Sequence, residues 1–422
     1  MKLELGIINI KDVKFGKPPR IEGHVLYVDK EKLRELVLED DRIAKADIEL
    51  AKPGEKIRIM PVKDVIEPRV KVRGPSGIFP GLIGPAEIVG RGQTNVLRNT
   101  AVVTVGKIVG YQEGMIDMSG PGARYTPFSE TLNIVLLGEP VQGIEEHMHE
   151  EAIRIAGLKV AAKVGELGRD IEPDEVESYE VEVFPALKSG LPRVVYVLQT
   201  LAQGLLHDTY VYGVDCKGML PTIVNPLELM DGSVVSGNCV SACDKNTTYH
   251  YENEPIIKEL LKRHNKELYF SGVVISPTTV RLASKEKCTD FAAKLCHMLR
   301  ADGAVITEEG FGNPEIELMM HCKKLEKMGI KTVLVSDEYA GPDGKSQGLA
   351  DTTPEANAFI SAGNANEIIE IPEMDKVIGD DTVLETLAGG RKKLNGSLRT
   401  EIQAIIGSTN GLGYTKLRCI SY

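Results

Sequence analysis

Short runs of hydrophobic residues, many of them β-branched, dominate residues 1–140 and are separated by Gly, Pro and Asp. Such runs predict β-strands. The clearest are KLELGIINI (2–10), GHVLYVD (23–29), KIRIMPV (56–62) and TAVVTVGKIVGY (100–111). The stretch KEKLRELVLEDD (30–41) predicts a helix among them. We therefore expect a β-rich domain over residues 1–140.

The pattern changes over residues 141–192. Hydrophobic residues recur at helical spacing in EEAIRIAGLKVAAKVGELG (150–168), which predicts a helix. The next stretch, RDIEPDEVESYEVEVFPALKSGLP (169–192), is acidic and contains proline, which indicates a linker. We expect this helix and linker to join the first domain to a second one.

From residue 193 onwards, predicted strands and helices alternate. The strands are RVVYVL (193–198), LYFSGVVIS (268–276), GAVIT (303–307) and KTVLVSD (331–337). In the last helix, Asn313 is the expected N-cap, Pro314 the first helical residue and Gly329 the C-terminal stop. Alternation of this kind is typical of a parallel sheet covered by helices. The predicted fold class is thus α/β, with a β-rich N-terminal domain followed by a parallel-sheet, Rossmann-like α/β domain over 193–422.

Parallel sheets bind ligands at the carboxyl ends of their strands. Two polar loops fall there, TEEGFGNPE (307–315) and SDEYAGPDGKSQG (336–348), and Glu308, Glu309 and Asn313 in the first are candidate substrate-site residues. Arg124, in SGPGARYTPFS (119–129), is a candidate to bind a substrate carboxylate, because guanidinium matches carboxylate in bidentate fashion. A simple surface arginine is the alternative of equal weight.

Histidines offer weaker candidates. His207, in GLLHDTYVYGVDC (204–216), could act in acid–base chemistry, and a structural loop histidine is the equal alternative. His147 and His149, in EEHMHEE (145–151), could share a face on a strand and hold a metal. The segment leads into a helix, however, where such neighbours do not face each other. A solvated helix start is the preferred interpretation, and no metal site is predicted.

Composition excludes several classes of function. The chain of 422 residues has a net charge of −11, 42% hydrophobic residues and 5% aromatic residues. The charge disfavours nonspecific binding to nucleic acids or anionic membranes. No apolar run approaches the length of a membrane span, and no secretory leader is evident. Seven irregularly spaced cysteines favour a reducing compartment over a disulfide framework. We expect a soluble cytoplasmic protein.

The most unusual stretch is VVSGNCVSACDKN (234–246), where Cys239 follows Asn238 in a small, turn-like setting. Cys239 could be a packing residue in a loop. Cys239 and Cys243 could share a helix face, but two sulfurs alone do not complete a zinc site. Alternatively, the thiolate could attack the Asn238 carbonyl in a strained turn, split the chain by elimination, and leave a pyruvoyl group at the new terminus. The residues alone leave these alternatives open.

Longer stretches resemble the component B proproteins of glycine reductase complexes, a family that includes sarcosine and betaine reductases and occurs in amino-acid-fermenting anaerobes. The similarity covers essentially the whole chain. It is carried by KDVIEPRVKV (63–72), GIFPG (77–81), IDMSGPGARYTPFS (116–129), EPDEVESYE (172–180), GLLHDTYVYGVD (204–215), MDGSVVSGNCVSACDKN (230–246), ITEEGFGNP (306–314) and DEYAGPDGKSQGLAD (337–351). Sarcosine- and betaine-type relatives are expected to differ around SGNC, so the glycine type is preferred.

The resemblance implies that the chain is cut between Asn238 and Cys239 and that Cys239 becomes a covalent pyruvoyl group. That group activates the amine of glycine for reductive deamination towards acetyl phosphate and ammonia. The implied partners are a selenoprotein subunit of component B and the small selenoprotein of component A. The alternatives are a sarcosine or betaine reductase component B, a more distant D-proline-type proprotein, or a non-catalytic scaffold subunit.

Overall fold

The computed structural model describes residues 1–75, 77–106, 108, 114–182, 190–204, 206, 209–237, 241–380, 396–415 and the backbone of 418–420. The first half of the chain is mostly β-strand, as predicted. Its strands are β1 (Lys2–Asn9), β2 (Asp12–Phe15), β3 (Arg20–Glu22), β4 (Val25–Val28), β5 (Ile43–Ala51), β6 (Ile57–Ile66), β7 (Arg69–Arg73), β8 (Gly92–Arg98), β9 (Thr100–Val105), β10 (Gly114–Asp117), β11 (Leu132–Pro140) and β12 (Glu175–Glu180).

The second half carries shorter strands and most of the helices. The strands are β13 (Arg193–Thr200), β14 (Tyr210–Val211), β15 (Val214–Asp215), β16 (Thr222–Val224), β17 (Val234–Val235), β18 (Tyr269–Pro277), β19 (Gly303–Thr307), β20 (Lys331–Glu338), β21 (Phe359–Asn364), β22 (Ile368–Ile371), β23 (Lys376–Gly379), β24 (Leu398–Glu401) and β25 (Arg418–Ile420). The helices of the chain are α1 (Lys30–Val37), α2 (Glu146–Gly165), α3 (Pro226–Met230), α4 (Thr248–Glu252), α5 (Pro255–Arg263), α6 (Leu282–Met298) and α7 (Asn313–Lys327).

Three sheets lie in the described part of the β-rich half. The first has the strand order β12-β1-β8-β7, and the second has the order β10-β6-β9-β11-β5, with β23 added beside β6. The third is small and has the order β2-β4-β3. Helix α2 packs against this half through buried residues such as Ala152, Ile153 and Val160. Strand β6 brings Asp64 into the interior, where the second half of the chain meets it.

Strand β12 lies within the segment predicted as a linker. It pairs antiparallel with β1, from Lys2 opposite Glu180 to Ile7 opposite Glu175. Its side chains are mostly exposed, which suits a polar strand at the edge of a sheet, where one side faces water. Because the sequence of β12 is acidic and its apolar residues do not alternate, the hydrophobic pattern does not predict this strand. The proposed domain boundaries stay a prediction.

The second half contains the predicted parallel sheet, which confirms the α/β fold class. Five parallel strands have the order β18-β13-β19-β20-β21, and β16 and β25 add antiparallel edges. The first strand in sequence, β13, lies between the second and third, so the direction of winding reverses between β13 and β19. Open α/β sheets bind ligands at such a reversal, outside the carboxyl ends of the strands.

Helices cover both faces of this sheet. On one face α6 and α7 bury Ala292, Cys296 and Leu318 against Val195 and Val197 of β13. The structure corrects the predicted start of α7 by one residue. Gly312, with φ +72°, is the N-cap and Asn313 is the first helical residue. Gly329, with φ +80°, follows the C-cap as predicted. Among the described residues, none of the helices has both the length and the apolar character needed to cross a bilayer.

Candidate active site

The segments on both sides of the asparagine–cysteine pair are buried. Ser236 and Gly237 before the pair lie in the interior, and so does every residue of 241–254 after it. The preceding strand β17 pairs antiparallel with β14, and helix α4 follows. Asn238 and Cys239 themselves, like His207, lie outside the described residues. The predicted cleavage site is thus flanked by buried, well-anchored chain instead of exposed loop.

Glu309 anchors the segment after Cys239 at the point between β13 and β19 where the winding of the sheet reverses. It is the second residue after β19 and is fully buried. Its carboxylate accepts hydrogen bonds from the backbone amides of Asn246 (2.9 Å) and Leu201 (3.1 Å) and from the Tyr251 hydroxyl (3.1 Å). Leu201 directly follows β13. Glu309 therefore joins the ends of the two central strands to the segment after the cysteine.

Asp64 ties both flanks together through one threonine. The backbone amide of Thr248 donates to Asp64 Oδ1 (2.9 Å), and its hydroxyl donates to Asp64 Oδ2 (2.6 Å). The same hydroxyl accepts a hydrogen bond from the backbone amide of Ser236 (3.1 Å). Because all three residues are buried, this network holds the chain before the pair at a set position relative to α4.

A third contact comes from the C-terminal part of the chain. The Gly407 amide donates to the Ala242 carbonyl (2.8 Å). The Asn410 side-chain amide donates to the Lys245 carbonyl (3.2 Å) and to Asn246 Oδ1 (2.6 Å). The segment after the pair is consequently held by residues far away in sequence on two sides.

His250 packs in an aromatic cluster and does not titrate near neutral pH. Its Nδ1 accepts a hydrogen bond from the Thr247 amide (3.1 Å), and its ring lies 5.0 Å from that of Phe128 and 4.6 Å from that of Tyr414, centroid to centroid. A Cβ at Gly407 would lie 2.9 Å from the His250 ring, so glycine is required for this approach. Burial lowers the pKa of His250 to about 3. The neutral ring is a structural element.

Two carboxyls of the site have pKa values near the physiological range. Burial raises the pKa of Asp64 to about 6 and that of Glu309 to about 7. In both cases the hydrogen bonds that the carboxyl accepts and the positive charge of Lys245 oppose this rise. Lys245 is itself buried. Perturbed acids beside a buried cation are typical of functional sites.

A small cavity lies beside Gly237. Its volume is about 20 Å³, and Asp64, Ser236 and Gly237 are among its lining residues. A cavity of this size can hold one water molecule. The hydroxyl oxygen of Ser236 is buried and has no hydrogen-bond partner in the described part of the chain. A cavity lined in part by a hydroxyl and a carboxylate therefore adjoins Gly237, the last described residue before the asparagine–cysteine pair.

The structure brings together only some of the predicted site residues. Glu308 and Glu309 are both buried at the carboxyl end of β19. Asn313 is exposed and donates through its side chain to Gln203. Arg124 is exposed in a short helical turn. The substrate-binding roles predicted for Asn313 and Arg124 stay predictions.

The histidine pair of EEHMHEE behaves partly as expected. His147 is exposed at the start of α2, in agreement with a solvated helix start. His149 is buried instead, because the second turn of α2 already packs against β11, and its Nε2 lies 3.4 Å from the Gly138 carbonyl oxygen.

Sequence reasoning missed Asp64, Thr248, Lys245 and Asn410. Asp64 and Thr248 are 184 positions apart, and Asn410 and Asn246 are 164 apart. Their side chains are ordinary when considered singly. One signal was present, since DKNTT (244–248) places five polar residues in succession directly after SGNCVSAC (236–243).

Comparison with known proteins gives a full-length match. Residues 1–420 match the family described as glycine/sarcosine/betaine reductase component B subunits. The chain is 52% identical to the glycine reductase complex component B subunits alpha and beta of Peptoclostridium acidaminophilum and 52% identical to the sarcosine reductase complex component B subunit alpha of the same organism, with 100% of each chain covered. It is 22% identical to the D-proline reductase proprotein of Acetoanaerobium sticklandii, over 78% of this chain and 53% of that protein. No solved structure matches the chain.

Proposed function

Because the chain belongs to the family of glycine/sarcosine/betaine reductase component B subunits, we propose that it is a component B proprotein whose Cys239 becomes a pyruvoyl group. The observation that carries the proposal is the burial and anchoring of both flanks of the Asn238–Cys239 bond at the ligand-binding edge of the sheet. A packing cysteine in a loop does not need this network of hydrogen bonds from three distant parts of the chain.

The proposed cleavage uses atoms of this chain and water. The Cys239 thiolate adds to the Asn238 carbonyl carbon, and the peptide nitrogen leaves, which gives a thioester. Removal of the Cα proton breaks the Cβ–S bond, and the upstream fragment leaves as a thiocarboxylate. The dehydroalanine that remains takes up water and releases ammonia, which gives the ketone of the pyruvoyl group. Water also converts the thiocarboxylate to carboxylate and sulfide.

The residues around the proposed cleavage site support the formation of a pyruvoyl group. The cavity beside Gly237 adjoins Asp64 and the spare hydroxyl of Ser236, so water can lie next to a carboxylate there. With a pKa of about 6, Asp64 is mostly ionised at neutral pH and can take a proton from that water. Glu309 is a positioning residue, because it holds the backbone amides of Asn246 and Leu201 and does not line this cavity. A pyruvoyl carbonyl supplies an electrophile that condenses with a primary amine.

The proposed reaction is the reductive deamination of glycine, with acetyl phosphate and ammonia as products. The chain contributes the electrophile, and the reductant comes from a selenoprotein subunit of component B and from the small selenoprotein of component A. The names of the relatives support assembly with other components, since both describe parts of a complex.

Sarcosine is the second candidate substrate. The chain is as similar to a sarcosine-type relative as to a glycine-type one, so overall identity does not separate the two. The preference for glycine rests on the SGNC segment, around which sarcosine-type relatives are expected to differ, and on the primary amine of glycine. If glycine is the substrate, it should protect the C-terminal fragment from phenylhydrazine at lower concentrations than sarcosine does. Protection by sarcosine alone would assign the chain to the sarcosine type.

Carbonyl labelling tests the proposed group directly. Phenylhydrazine should label the fragment 239–422 of the natively expressed protein and should not label the fragment 1–238. Cys239→Ala should give one unlabelled, full-length chain. Cys296→Ser is the matched control, because Cys296 is a buried cysteine on α6, and this variant should be cleaved and labelled normally. A cleaved native protein without label would instead support a non-catalytic scaffold.

A further inference from the structure

A second group of reactive side chains lies a few residues beyond the cleavage site. Cys243, Asp244 and Asp337 each place one ligand atom within 4.8 Å of those of the other two, and all three are buried. The Cys243 Sγ lies 3.2 Å from Asp244 Oδ1. The Tyr339 hydroxyl lies 3.1 Å from Sγ and 3.2 Å from Asp244 Oδ2. Two carboxyls, a thiol and a phenol thus converge in the protein interior.

The carboxyl of Glu308 lies near the same group, and one of its two oxygens makes no hydrogen bond to the described residues. Glu308 is buried, and its Oε2 accepts a hydrogen bond from Ser336 Oγ (2.7 Å). Its Oε1 is also buried and has no hydrogen-bond partner among the residues that the structure describes. Ser336 directly precedes Asp337 on β20, so this hydrogen bond places the Glu308 carboxyl next to the group.

Thr409 holds the group in place through its hydroxyl and its backbone amide. Asp337 lies near the end of β20, and the Thr409 hydroxyl donates to Asp337 Oδ2 (2.6 Å) and to Asp244 Oδ1 (3.4 Å). The Thr409 amide also donates to the Cys243 carbonyl (3.2 Å). In a tetrahedral zinc site, sulfur and oxygen ligands lie about 3.5 Å apart. The observed separation of 3.2 Å between Cys243 Sγ and Asp244 Oδ1 is close to that value.

We propose that Cys243, Asp244 and Asp337, with Glu308 as a further oxygen ligand, form a binding site for a divalent transition-metal ion of the zinc or iron class. The thiol excludes magnesium and calcium as preferred ions, since these favour oxygen ligands alone. On binding, the Cys243 thiol releases its proton and the ion replaces it on sulfur. The bound ion links the segment after the cleavage site to β20. This assignment does not depend on the pyruvoyl proposal.

The test uses the full chain carrying Cys239→Ala, which removes the neighbouring thiol and the cleavage reaction together. Purified without chelator and titrated with Co²⁺, it should bind one ion per chain and develop a thiolate-to-cobalt charge-transfer band. Adding Cys243→Ser should abolish the band. Adding the isosteric Asp337→Asn should weaken Co²⁺ affinity roughly tenfold or more. Adding Cys296→Ser should change neither the charge-transfer band nor the Co²⁺ affinity.

Two results would overturn the metal site. One is a folded Cys239→Ala chain, with a cooperative unfolding transition, that binds no Co²⁺ or Zn²⁺ in stoichiometric amount. The other is a charge-transfer band that survives Cys243→Ser. Should Cys243→Ser fail to fold, Asp337→Asn decides, because unchanged affinity in that variant contradicts the assignment. Neither result bears on whether Cys239 forms a carbonyl.

Discussion

Replacing Glu309 by glutamine should alter how stability depends on pH. In the folded chain, burial raises the pKa of Glu309 to about 7 from an ordinary value of 4.5. The folded state therefore keeps a proton on this carboxyl where the unfolded state releases it. The contribution to stability is fully present below pH 4.5 and is lost as the pH rises through about 7.

The magnitude follows from the two pKa values. At about 1.4 kcal/mol for each pH unit, the interval from 4.5 to about 7 corresponds to about 3 kcal/mol. Most of it, about 2 to 3 kcal/mol, is lost between pH 5 and pH 8. Glutamine does not titrate. It also offers one acceptor oxygen in place of two, so one buried donor such as the Asn246 amide loses its partner, at a cost of about 1 to 3 kcal/mol at any pH.

Urea denaturation of the uncut Cys239→Ala chain, with and without Glu309→Gln, measures the effect at a series of pH values. The free energy of unfolding of the parent minus that of the variant should fall by about 2 to 3 kcal/mol from pH 5 to pH 8. Glu259→Gln on the surface of α5 is the control and should give a much flatter difference. Parallel pH profiles for parent and Glu309→Gln would refute the reasoning about this buried acid.

Three other predictions concern the residues around the cleavage site. Thr248→Val removes the hydroxyl between Asp64 and the Ser236 amide, so it should destabilise the chain by about 1 to 3 kcal/mol and slow cleavage on a gel time course, while Thr248→Ser should restore both. The His250 ring, whose pKa burial lowers to about 3, should show constant NMR chemical shifts from pH 5 to pH 8; a titrating shift would contradict its neutral, buried assignment. Cys239→Ser should cleave more slowly than the native chain, because oxygen is the weaker nucleophile, and native-like cleavage rates would argue against attack by the thiolate.

Local sequence patterns were sufficient to predict the fold class. The β-branched runs of β13, β18, β19 and β20 form the parallel sheet, and the loops after β19 and β20 lie at its carboxyl edge, as expected. Each of these elements owes its conformation to residues near it in sequence. Strand β12 was missed because it forms through pairing with β1, about 170 residues away, and not through its own composition.

The candidate site was predictable only in part for the same physical reason. Glu309 follows a recognisable strand, so its position could be predicted. Asp64 gains its role from Thr248, and the Cys243 group depends on Asp337, which is distant in sequence. Only the folded chain brings these side chains together. The spacing of Cys239 and Cys243 indicates two sulfur ligands only, because Asp337 joins Cys243 and Asp244 only in the folded chain.

The intact mass of the protein, purified from its native host or after native-like expression, shows directly whether Cys239 becomes a pyruvoyl group. We expect two fragments, 1–238 and 239–422, with the second beginning in a ketone in place of the amine and thiol of cysteine. An active preparation that contains one unbroken chain, or a second fragment that still carries an N-terminal cysteine, would contradict it.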